Sequence, residues 1–159
     1  MKEKLFGKTL KQLQDVSAEL GLPKFTAKQI TDWLYKKEIT SIEEMSNLSK
    51  KARQQLNEKY TIGLQAPSTV QTSTDGTKKY LFNVGDQGSV ESAFIPESKR
   101  STLCVSSQVG CKMRCLFCMT GRQGLKSNLT AGEIVNQIRS LPERYEITNI
   151  VYMLSLIHI

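Results

Sequence analysis

The sequence predicts an α/β chain built in succession. A helical module over residues 1–63 is followed by a small antiparallel β segment over 64–96, then by the opening strand–helix–strand portion of a larger sheet over 97–153. Three observations carry that prediction. Apolar residues recur every three or four positions through the first part, and the period falls to two after Gly63. From Thr102 an apolar run, an amphipathic stretch and a second apolar run follow one another, which is the order of a parallel βαβ unit. With 159 residues, 39% hydrophobic and 23% charged, the chain can bury a core and is neither disordered nor collagen-like. Its apolar runs fall far short of the roughly 20 residues of a membrane span, and the stretch from Met1 to Phe6 is charged where a signal peptide turns apolar. A soluble cytoplasmic monomer with no membrane partner is expected.

Thr9 is placed to cap a helix whose residues Leu10, Leu13, Val16 and Leu20 share a face and which Gly21 and Pro23 stop. A second helix is expected from Thr26 to about Lys37, with Ile30, Trp33 and Leu34 inward. A helical turn follows Ser41, and Ser49 opens a third helix to about Tyr60 with Ala52 and Leu56 inward. Trp33 and Tyr35 could stack on nucleic-acid bases, but aromatics at helical spacing more often belong to a core. Strands are expected over Gln65–Thr72, Lys79–Val84 and Val90–Ile95, the first two joined by the turn dipeptide Asp75-Gly76 and the last ended by Pro96. Beyond them come a buried strand at Leu103-Cys104-Val105, a long loop from Ser106 to Asn128, a helix from Thr130 to Leu141 and a second buried strand from Ile147 to Met153. Thr130 with Glu133 matches a capping box. The loop then opens at the carboxyl end of the parallel strands, where barrel and doubly wound folds build active sites.

The formal charge is +7, and it is uneven. From Ser98 to Gly132 stand Lys99, Arg100, Lys112, Arg114, Arg122 and Lys126, with no acidic residue among them. A one-signed stretch of that length suits a polyanion such as RNA, since each phosphate contact releases condensed counterions; a solvated basic face is the other reading.

All four cysteines fall within fifteen residues, as C-x6-C-x3-C-x2-C at Cys104, Cys111, Cys115 and Cys118. Disulfides between such near neighbours would constrain little loop, and ligation of a metal or cluster is the better reading. A zinc site usually takes two separated pairs, whereas three thiols on one tight loop suit an iron–sulfur cluster with one iron left without a protein ligand.

The motif Cys111-x3-Cys115-x2-Cys118, with Phe117 before the last cysteine, resembles the radical S-adenosylmethionine signature. Its flanks, from Val90-Glu91-Ser92-Ala93-Phe94-Ile95-Pro96-Glu97 through Thr102-Leu103-Cys104-Val105-Ser106-Ser107-Gln108-Val109-Gly110, resemble the RlmN/Cfr family of RNA methyltransferases, and within it the RlmN branch. The resemblance implies a truncated (β/α) barrel, a [4Fe-4S] cluster held by Cys111, Cys115 and Cys118, and S-adenosyl-L-methionine with the Phe117 segment on its adenine side. It also implies methylation at carbon 2 of adenosine in 23S ribosomal RNA and tRNA, and an electron donor such as flavodoxin or ferredoxin. Glu91 matches the carboxylate that accepts a proton, and Cys104 matches a non-ligand cysteine that helps resolve a covalent protein–RNA intermediate. By spacing alone, Glu91 reads as a solvent-facing strand residue and Cys104 as a small buried one. The Cfr-type enzymes, which act at carbon 8, share the cluster motif. A small basic RNA-binding protein with a structural four-cysteine metal site is the rival from another class.

The pattern breaks after Met153. The family calls for a glycine-rich turn with Gly-Glu-Pro that binds the cofactor's amino group, whereas the sequence continues Leu154-Ser155-Leu156-Ile157-His158-Ile159 and holds no later cysteine to carry the methyl group. A barrel needs on the order of 200 residues or more. The expectation is an amino-terminal portion of such an enzyme, inactive as it stands, with residues 154–159 foreign to it and His158 neither ligand nor base.

Overall fold

Hydrogen-bonded caps begin three of the helices where the sequence places them. In the computed structural model, which describes residues 2–153, the Thr9 hydroxyl accepts the Gln12 amide at 3.3 Å and opens helix α1 (Leu10–Glu19). Ser49 opens α3 (Lys50–Lys59), and Thr130 opens α5 (Ala131–Arg139) with Glu133 returning the bond to Thr130. Between α1 and α3 lie α2 (Phe25–Tyr35) and a 3₁₀ turn over Ile42–Glu44. The chain divides after Leu64 into two units, each with its own core.

The first unit packs Leu13, Val16, Ile30, Leu34, Ala52 and Leu56 around Met45, with Trp33 against the edge of that core. Trp33 is therefore a packing residue, its indole N–H donating to Asn47 and its ring covered by the Lys37 ammonium at 3.8 Å. Leu10, grouped by spacing with Leu13 and Val16, is exposed. A short parallel pair, β1 (Glu3–Lys4) with β2 (Tyr60–Thr61), joins the two ends of this unit and was invisible to periodicity because each strand is only two residues long.

The second unit is built on a five-stranded sheet in the order β3-β4-β5-β6-β9. Its strands are β3 (Thr69–Thr72), β4 (Lys78–Asn83), β5 (Ser89–Pro96), β6 (Ser101–Ser106) and β9 (Asn149–Met153). The first three strands are antiparallel and continue without a break into the parallel pair β6–β9, so the β segment and the βαβ unit share one sheet. The first strand starts at Thr69 rather than Gln65, since Pro67 has no amide to donate and restricts Ala66 before it. Pro96 is the last residue of its strand, opposite Ser101. Helix α5 lays Ile134 and Ile138 over Tyr80, Phe82, Val90, Phe94, Leu103 and Val105 on one face of the sheet. Fully burying a side chain such as Leu103 contributes about 1.5–3 kcal/mol.

Two expectations are corrected. The strand β9 was expected to be buried, but every residue in it is exposed, with Tyr152 55% exposed, and among the described residues it stands at the edge of the sheet. The segment from Ser106 to Asn128 is more than a loop: β7 (Gln108–Val109) pairs with β8 (Ser127–Asn128) across its base, and α4 (Met119–Arg122) lies between them. The described residues hold partial sheets and no closed barrel. Among them no helix is long and apolar enough to cross a membrane. The expectations for residues 154–159, His158 among them, lie outside the described residues.

Candidate cluster loop and active-site face

Alternation along the sheet sorts the candidate residues onto one side. Leu81 lies opposite Glu91, and Ala93 opposite Cys104. Because successive strand residues point to opposite faces, Glu91, Ala93 and Cys104 share the face turned away from α5. Glu91 is exposed there, with its carboxylate 3.1 Å from the Lys79 ammonium beside a shallow cavity lined also by Thr69, Gln71 and Leu81. Cys104 is half-buried on β6, an interior strand of the sheet, and lies outside the cysteine loop. Thus the structure brings the two proposed catalytic residues onto one face, two strand positions apart on neighbouring strands.

The remaining three cysteines leave the carboxyl end of β6 on the segment that β7 and β8 clasp. The Lys126 amide donates to the Val109 carbonyl at 2.9 Å, the Leu129 amide to the Ser107 carbonyl at 2.9 Å, and the Gln108 amide group to Asn128 at 2.8 Å. Gly110 is required at this neck. Its φ is +75°, and a Cβ there would stand 1.7 Å from the Gly124 carbonyl oxygen. Farther out, Gly121 lets the first turn of α4 rest on Cys115, whose backbone nitrogen would lie 2.9 Å from an added Cβ.

Cys111 is buried at the neck, 5% exposed, while Cys115 and Cys118 are half-buried. Cys118 caps α4 with its sulfur, which accepts the Gly121 amide at 3.4 Å. That bond, with a weaker one from the Thr120 amide, holds the Cys118 thiol below its ordinary range and favours the thiolate. Phe117 is 92% exposed, and Met113, Leu116 and Met119 are exposed with it. Of the basic residues, Arg100 is paired with Glu97 at 2.8 Å and Arg122 donates to the Leu116 carbonyl at 3.1 Å.

The donor set fits a [4Fe-4S] cluster. All four thiols are free of disulfides, and three of them stand within eight residues of one loop. Among the described residues, no three ligating side chains are gathered into a metal-binding group, so Cys111, Cys115 and Cys118 share a loop without converging. Sequence reasoning missed Lys79, because its approach to Glu91 depends on strand register. It also missed Gln137, although a polar residue among Ile134, Ile138 and Leu141 on the buried stripe of an amphipathic helix was a usable signal.

Residues 3–62 match the family model described as ribosomal RNA large subunit methyltransferase N-terminal domain. A protein of Bacteroides thetaiotaomicron named probable dual-specificity RNA methyltransferase RlmN is 56% identical over 149 residues, which cover 94% of this chain and 43% of the relative. The dual-specificity RNA methyltransferase RlmN of Geotalea uraniireducens is 46% identical over 145 residues, covering 91% of this chain and 42% of that one. The crystal structure of a radical SAM methyltransferase from Sphaerobacter thermophilus superposes with a TM-score of 0.78 at 34% identity, covering 94% of this chain and 47% of that chain. The chain thus spans less than half the length of the curated relatives it matches. Its helical unit, its cysteine loop and its likeness to these proteins agree, and over nearly all of its residues the chain is similar to RlmN-type RNA methyltransferases.

Proposed function

We propose that this chain supplies the cluster loop and the first catalytic residues of a radical S-adenosyl-L-methionine RNA methyltransferase acting on carbon 2 of adenosine in 23S ribosomal RNA and tRNA. The observation that carries the reading is the shared sheet face of Glu91 and Cys104 beside a loop that presents three free thiols at the carboxyl end of β6. Cys111, Cys115 and Cys118 would hold the [4Fe-4S] cluster, and the exposed Phe117 would cover the adenine of S-adenosyl-L-methionine. When bound, these groups supply the one-electron chemistry that activates a carbon too inert for ordinary methyl transfer, with a flavodoxin- or ferredoxin-like donor providing the electron.

On the open face Glu91 accepts the proton lost from the substrate, with Lys79 orienting its carboxylate. Cys104 brings a thiolate that would attack the sulfur of the methyl-carrying cysteine this chain lacks: an S–S bond forms as the C–S bond to the RNA breaks, and the electron pair left on the RNA carbon takes up a proton, which gives the methyl group. Lys99, Lys112, Arg114 and Lys126 are the basic residues of this stretch offered to phosphates.

A chimera tests the whole reading. Residues 2–153 replace the matching part of the Bacteroides thetaiotaomicron relative, and the product is incubated anaerobically with S-adenosyl-L-methionine, a reductant and 23S ribosomal RNA or tRNA. Nucleoside mass spectrometry should find 2-methyladenosine in both RNAs. Finding 8-methyladenosine would overturn the regiochemistry, and finding no methylation while the unaltered relative is active would overturn the function.

A further inference from the structure

We infer that Gln137 is a positioning residue of the proposed site: from α5 its side-chain amide fixes the point at which β6 leaves the sheet and becomes the cysteine loop. The inference rests on the reading of that loop as the cluster-binding segment. The paired register of β5 with β6 runs only as far as Ala93 with Cys104. Past that pair the two strands are held by side chains. The Gln137 Oε1 accepts the Ser106 amide at 2.9 Å and the Ser92 hydroxyl at 2.7 Å. Its Nε2 donates to the Ser106 carbonyl at 2.8 Å and to the Glu133 carbonyl at 3.3 Å. The Ser106 hydroxyl in turn donates to the Glu91 carbonyl at 2.7 Å.

One amide therefore satisfies both backbone groups of Ser106, the last residue of β6, and couples them to the strand that carries Glu91. The side-chain amide suits this, since it carries a donor and an acceptor on one planar group. Gln137 is 1% exposed, so water is poorly placed to substitute for it. A fully satisfied buried network of this kind rigidifies what it touches. Here it touches the root of the loop, five residues before the buried Cys111.

A residue that merely stabilises the unit would loosen all of it when replaced, whereas a positioning residue would loosen the loop root selectively. The test is the rate at which each thiol of the reduced, metal-free chain reacts with iodoacetamide under native conditions, read by mass spectrometry. Gln137→Met should speed alkylation of Cys111 by about tenfold or more, as local opening becomes easier, with Cys115 and Cys118 changed less than about twofold. Leu141→Ala serves as the control, because it removes a buried side chain that takes no part in the network. An unchanged Cys111 rate in Gln137→Met would overturn the inference, and so would an equal acceleration in Leu141→Ala. If Gln137→Met does not fold, hydrogen exchange on the unaltered chain decides: the Ser106 amide should be protected like the core of β6, and rapid exchange there would overturn the assignment. Iron takes no part in either measurement, so failure of the cluster reading shows itself separately, as absence of iron uptake by the unaltered chain.

Discussion

Cys104 and Cys111 are seven positions apart, yet the fold places them differently. Cys104 lies on a strand, on the face that also carries Glu91, whereas Cys111 sits at the neck of a loop that Gly110 closes. In the chimera, Cys104→Ala should keep its iron and leave RNA covalently attached, visible as a retarded band on denaturing electrophoresis with labelled RNA. Cys115→Ala should lose the cluster and form no such band. Loss of iron from Cys104→Ala would make Cys104 a ligand and favour a four-cysteine structural site. Their separate placement was legible in the spacing, because Cys104 stands in an apolar run before the segment that carries the other three. The shared face of Glu91 and Cys104 was not, since it depends on pairing Ala93 with Cys104 and not with a neighbour one position away. Lys79 stayed hidden for the same reason, its partner being set by register; the buried stripe of α5 pointed to Gln137, but its partners are set by helix docking, which no local pattern specifies.

At the scale of elements, two devices hold the second unit in shape. The neck of the cysteine loop depends on the contact of Gly110 with Gly124, so Gly110→Ala should destabilise this unit by about 2–4 kcal/mol in chemical denaturation. The other device joins β4 to the turn after α5. Glu143 is buried and accepts from the Lys78 ammonium and the Tyr80 hydroxyl, each at 2.5 Å. Burial alone would raise the Glu143 carboxyl, but these bonds outweigh it and hold the group below the usual carboxylate range, while burial and Glu143 together raise Tyr80. A carboxyl depressed in the folded state adds stability above its unfolded value of about 4.3, and that stability is lost as pH falls through the folded value. Glu143→Gln should therefore be less stable than the unaltered chain near pH 7, with the difference shrinking as urea midpoints are measured toward pH 3. A difference that stays constant with pH would show that Glu143 contributes no ionic linkage. The helices and caps were legible because Thr9, Ser49 and Thr130 each precede a clear apolar period. The β7–β8 clasp was not, being two residues a side, and β9, whose apolar run reads as an interior strand, stands exposed at the edge of the sheet among the described residues.

For the whole molecule, the succession of a helical unit and an α/β unit was readable from the change of hydrophobic period near Gly63, and the structure divides the chain after Leu64. The continuity of the antiparallel and parallel strands in one sheet was not readable, because the hydrogen bonds between β5 and β6 join segments that turn residues separate in sequence. That continuity matters chemically: it places the carboxylate of an antiparallel strand and the thiol of a parallel one on the same surface, next to the loop with three more thiols. The central claim is that this loop holds an iron–sulfur cluster with one iron open to the cofactor. Iron and acid-labile sulfide analysis of the unaltered chain after anaerobic reconstitution, joined to Mössbauer spectroscopy, tests it most directly. The prediction is about four irons and four sulfides per chain, with one iron site changed by added S-adenosyl-L-methionine. One tightly held zinc per chain with no sulfide, lost when Cys104 is replaced, would contradict it.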